Sequence, residues 1–142
     1  MDIGRPKAAF WIISIAALLW NFMGVAAYIM MTQMTPEQAA EGYGQAFADI
    51  FATKPAWATG AFAIAVFAGL LGCIGLLMRK KWARLLFIVS FLGVIIHNIW
   101  GVMAGTLSVI GTFDKVMTIA VLAIAVFLIW FARKKTEQGV LR

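Results

Sequence analysis

Asn21, His97 and Asn98 are polar side chains set deep inside long apolar runs. A polar group at such depth is expensive unless it is paired, so these three are the first candidates for any site. Their chemistry is that of solute contact: an amide both donates and accepts hydrogen bonds, and an imidazole titrates near neutrality. Trp20 and Trp100 lie at the same level. Aromatic rings beside amides are a common means of gripping sugar-like or apolar ligands. Tyr28 follows on the same stripe, with Ser14, Ala17 and Gly24, while Ser90, Gly93, Gly101, Ala104 and Ser108 form a matching stripe in the third run.

Each of these residues also has a plainer reading. Amides and hydroxyls join membrane helices to one another, glycines let backbones approach, and tryptophan and histidine fill cores. The second run carries Ala61, Ala65, Gly69 and Cys73 at four-residue steps, with Gly72 and Gly75 beside them. Gly24, Gly69, Gly72, Gly75 and Gly101 are therefore expected at helix contacts.

Several chemistries find no residues. No acidic side chain falls within the expected spans, so neither a carboxylate proton relay nor an acid/base pair is supported. A single histidine and a single cysteine on different runs make no metal or haem ligand set. Neither a phosphate-binding glycine loop nor a nucleophile elbow occurs. No enzyme activity and no cofactor are expected.

The elements that position these residues follow from composition. The 142-residue chain is 63% apolar and 13% charged, a balance foreign to water-soluble domains. Four stretches are long and apolar enough to cross a bilayer as helices: 8–31, 56–78, 85–107 and 116–132, the last extending outward through Phe113 and Thr112. The first exceeds the apolar core of a cleavable signal peptide and is read as a retained span.

The net charge of +6 does not indicate nucleic acid, because the basic residues lie in short clusters between the apolar runs. Arg5 and Lys7, then Arg79, Lys80, Lys81 and Arg84, then Arg133, Lys134, Lys135 and Arg142 make up all but Lys54 and Lys115 of the twelve. Such clusters stay in the cytoplasm, which places both termini inside and the two remaining loops outside. Trp11, Trp57, Trp82 and Trp130 near the span ends read as interfacial anchors.

The longer outer loop has its own pattern. Thr35, Pro36, Glu37 and Gln38 form a helix start with a capping-box glutamine, and Ala39, Tyr43, Ala46, Phe47, Ile50 and Phe51 follow at helical spacing. One amphipathic helix over about 36–53 is expected, covering the outer mouth of the bundle.

An internal echo relates the halves. Residues 20–27 (WNFMGVAA) and 97–104 (HNIWGVMA) agree at four of eight positions, and AIAVF occurs at both 63–67 and 123–127. As parallel repeats about an axis along the membrane normal, these would set Asn21 and Asn98 facing one another, each ~20 Å into the membrane at 1.5 Å per residue.

The segments WNFMGVAAYIM within 19–32, TPEQ at 35–38, the stretch 55–90 beginning PAWATGAF and the terminal GVLR resemble a group of small bacterial membrane proteins. Those proteins have four spans and are often labelled hypothetical or, loosely, sugar transporter. The resemblance covers most of the chain and implies a bacterial inner-membrane location.

The fold class expected is thus an all-α membrane protein: a four-transmembrane-helix bundle, N-in/C-in, with an amphipathic external helix between spans 1 and 2. Two functions fit it. In the first, Asn21, His97, Asn98, Trp20, Trp100 and Tyr28 line a mid-membrane pocket of a minimal permease or solute-binding protein. Four helices seldom enclose a path alone, so this version expects a homo-oligomer in the lipid bilayer. In the second, a non-catalytic scaffold binds a partner membrane protein or lipid through the glycine-rich second span.

Overall fold

Backbone amides away from water must bond within their own segment, and residues rich in Ala, Leu, Ile and Met do so readily as helix. The computed structural model describes residues 4–142, and among them the chain is helical with no strand. Six helices follow in order: α1 (Ala8–Thr32), α2 (Pro36–Tyr43), α3 (Gln45–Ala52), α4 (Ala56–Leu77), α5 (Trp82–Ala104) and α6 (Thr112–Glu137). α1, α4, α5 and α6 are each long and apolar enough to cross a membrane. Their outward faces are apolar as well: Met30, Met103 and Phe113 are each more than 70% exposed. A water-soluble protein would hide such side chains, whereas acyl chains solvate them.

The boundaries differ from the sequence expectation where local chemistry intervenes. α5 starts at Trp82, ahead of Arg84, because a basic side chain at a helix end can reach back to polar surroundings. It stops at Gly105, whose φ of +80° turns the chain into a short 3₁₀ turn at 106–108. α6 begins at Thr112, where the outward extension of the last span is expected, but runs past the expected end through the Arg133-Lys134-Lys135 cluster, where Arg133 pairs with Glu137 at 3.0 Å. Asp114, expected outside a span, therefore lies in the first turn of α6, where the helix dipole favours a carboxylate.

The amphipathic segment is two helices rather than one. Thr35 and Gln38 form the expected capping box, with reciprocal bonds of 3.2 and 3.0 Å. Gly44, at φ +94° and ψ 159°, then breaks the helix into α2 and α3. The break lets Phe47 and Ala48 bury while Tyr43, Phe47 and Phe51 stack in a row, with ring centroids 4.7 and 5.8 Å apart.

α4 is the most buried of the long helices and packs on α5 and, on its other side, on α1; α6 packs on α5. Small residues make this possible. Ser90 Oγ of α5 donates to the Ala65 carbonyl oxygen of α4 at 2.5 Å, and Gly93 lies against the α4 backbone. α1 and α6 do not pack along their length. They meet at one end, where Phe10 stacks on Phe131 with centroids 5.9 Å apart.

That end also gathers the termini. Arg79, at the left-handed φ of +57°, ends α4. Its guanidinium donates to the carbonyl oxygens of Val140 (3.0 Å) and Gly4 (2.6 Å), and its own carbonyl accepts from Arg142 N–H at 2.8 Å. Val140 and Leu141 bury beside Phe10, Leu76, Ala83 and Phe131, so the closing residues are part of the core.

Candidate functional site

Because α1 and α6 converge only at the basic end, a space opens between them toward the end that carries α3. It is a cavity of about 460 Å³, within the size range of small-molecule sites. α4 and α5 form its back wall, and Phe47, Ile50 and Phe51 of α3 lie over it. α6 contributes one helical stripe, Asp114, Met117, Thr118, Val121, Ile124 and Leu128. Most of the lining is apolar; a few polar groups interrupt it.

Five of the six residues named from the sequence line this space: Trp20, Asn21, His97, Asn98 and Trp100. Tyr28 does not. It packs at the α1–α4 interface between Phe62 and Phe67, with centroids 5.6 and 5.7 Å away.

The two amides share the cavity without meeting as a pair. Asn21 Nδ2 donates to the Ala17 carbonyl of its own helix at 2.9 Å and to Cys73 Sγ of α4 at 3.3 Å. Asn98 Nδ2 donates to the Val94 carbonyl at 2.8 Å. Each amide thus bonds first to the i−4 carbonyl of its own helix, which is always within reach, and no hydrogen bond joins the two. Asn21 is the better held of the two, and its Oδ1 occupies the space that a Cβ on Gly69 would need.

His97 is placed by rings. Phe62 lies 5.0 Å from it and Trp100 6.1 Å, while its Nε2 is buried without a hydrogen-bond partner among the described residues. Thr106 Oγ1, also on the cavity wall, is buried and unpartnered in the same way.

Lys54 was not anticipated. From the sequence it is one of two stray cations outside the basic clusters; in the fold its Nζ lies over three rings, 5.7 Å from Phe51, 5.3 Å from Phe62 and 5.4 Å from Trp100. No carboxylate pairs with it among the described residues. Burial pushes its ammonium from the usual 10.5 down to about 8. The signal that could have found it is the Phe51-Ala-Thr-Lys54-Pro55 order, which fixes a lysine at the junction between an aromatic helix face and a span.

The glycines divide by role. A Cβ on Gly72 would come within 2.6 Å of the Phe87 ring, and one on Gly75 within 2.7 Å of Trp82. Gly24 meets Val66 at 3.3 Å. Gly101 differs from the expectation of a helix contact: a Cβ there meets only Thr106, at 3.8 Å, and the residue lines the cavity instead. Compared with protein-family models, curated proteins and solved structures, the chain matches none.

Proposed function

We propose that the chain is a multi-pass inner-membrane protein that binds, and as an oligomer conducts, a small solute held in the cavity between α1 and α6. The observation that carries this reading is the gathering of Trp20, Asn21, His97, Asn98 and Trp100 from two non-adjacent helices onto one space of ligand size. The His97 Nε2 left without a partner supports it, because a buried polar atom costs free energy unless something completes it. With the basic clusters in the cytoplasm, both termini are inside and α2–α3 cover the outer mouth.

A scaffold working through the glycine face of α4 is less well supported. Gly69, Gly72 and Gly75 are already occupied within the chain by Asn21, Phe87 and Trp82.

The test is ligand-induced thermal stabilisation of the purified protein in detergent, screened over sugars, amino acids, organic acids and alcohols, with His97→Leu alongside. A ligand that raises the parent's melting temperature and fails to raise that of His97→Leu is the expected result. If no compound shifts the parent, the solute-binding reading fails.

A further inference from the structure

The chemistry at the α3 end of the cavity is asymmetric. Three residues that line it carry groups with no hydrogen-bond acceptor among the described residues: Lys54 at Nζ, and His97 at Nε2 and Thr106 at Oγ1, the last two atoms buried. Lys54 and His97 share the same two rings, since Phe62 and Trp100 each flank both side chains. The rings attract the ammonium through their faces but satisfy none of its hydrogen-bond demand. Beyond this cluster the α6 wall is mainly apolar, Met117, Val121, Ile124 and Leu128 interrupted by Thr118, while Asn21 and Asn98 line the cavity from α1 and α5.

A site with a cation and spare donors at one end and an apolar slot behind them is complementary to a particular shape of molecule. We propose that the cavity takes an amphiphilic organic carboxylate, its negative group received by Lys54 with His97 and Thr106, and its apolar body lying along α6. This rests on the reading of the cavity as a solute site and names the class of solute. Asp114, in the first turn of α6, also lines this end and is the one acidic side chain on the wall among the described residues; it does not pair with Lys54. Because α1 and α6 do not pack along their length, such a molecule has two sources to distinguish, the acyl region of the bilayer and the water beyond α3.

Calorimetric titration of the full chain in nanodiscs of zwitterionic lipid separates these sources. Decanoate stands for a bilayer-derived acid and 3-phenylpropionate for a water-borne one, each compared with the alcohol of the same skeleton. At least one acid should bind about tenfold tighter than its alcohol, the size of one charge-assisted hydrogen bond. Lys54→Met should abolish that advantage, and Lys54→Arg should keep most of it. Preference for decanoate assigns the bilayer source, and preference for 3-phenylpropionate the aqueous one. If acids and alcohols bind alike, or Lys54→Met leaves the advantage intact, the carboxylate assignment is overturned while the cavity stands as a solute site. If acids and alcohols all fail to bind, this proposal falls; the broader reading falls only if the wide thermal screen is also blank.

Discussion

Gly93 of α5 lies so close to α4 that a Cβ on it would stand 2.7 Å from the carbonyl oxygen of Ala61. The obstructing atoms are backbone, so they cannot rotate away. Gly93→Ala should therefore destabilise the protein by about 1–3 kcal/mol, as overpacking does in close-packed interiors. Gly101→Ala, with open space before it, should stay within about 0.5 kcal/mol of the parent or gain slightly from helix propensity. Thermal unfolding of both variants in one detergent checks the contrast. Equal losses would show that the α4–α5 contact is not the tight one.

The Asn21 amide and Gly69 make a second, more specific test. Gly69→Ala drives a methyl group into Asn21 Oδ1, and Asn21→Ala removes that obstacle along with the bond to Cys73. In a double-mutant cycle the loss from Gly69→Ala should shrink by about 1 kcal/mol when Asn21 is already alanine. Asn98→Ala, which gives up only a bond to its own helix, should be milder than Asn21→Ala. Additive losses would mean that Asn21 and Gly69 do not touch.

Arg79 ties the α4–α5 turn to both termini. Arg79→Met leaves the carbonyls of Gly4 and Val140 without their charged donor, and a loss of about 1.5–3 kcal/mol is expected. Leu141→Ala empties a fully buried position and should cost about 2–5 kcal/mol. Limited proteolysis of the C-terminal residues in each variant reads the release of the tail. A tail that stays protected in both would show that it is held elsewhere.

Burial holds the Lys54 ammonium at about 8, against 10.5 for a lysine in water. Between those values the folded chain binds fewer protons than the unfolded chain, so this lysine makes stability rise with pH across that window and adds no slope below it. Relative to Lys54→Met, the parent should gain about 1 kcal/mol from about pH 7 to about pH 10.5, after discounting for the part of the ammonium that water still screens. Denaturation curves at the two pH values supply the number, and identical slopes would place Lys54 in water.

The four long helices were legible because an apolar run of about 20 residues has a single low-energy form in lipid. Their ends were less so. The sequence expectation stopped span 4 before Arg133-Lys134-Lys135, yet the helix continues, since basic side chains at a bilayer edge do not oblige the backbone to unwind. The break at Gly44 is not legible in the sequence for a related reason: the apolar periodicity from Ala39 to Phe51 continues across it, and periodicity carries no information about φ.

The order of residues alone predicts that Trp20, Asn21, His97, Asn98 and Trp100 lie at similar levels of their helices, because position along a straight helix is simply residue count times rise. Which helices converge, and therefore which of these side chains share a space, was decided only by tertiary packing. Cys73 rather than Asn98 became the partner of Asn21, and Lys54 joined the aromatic rings of α3, α4 and α5, because lateral neighbours depend on how glycines, serines and rings interlock across helices. That interlocking depends on three-dimensional shape, and linear spacing does not encode it.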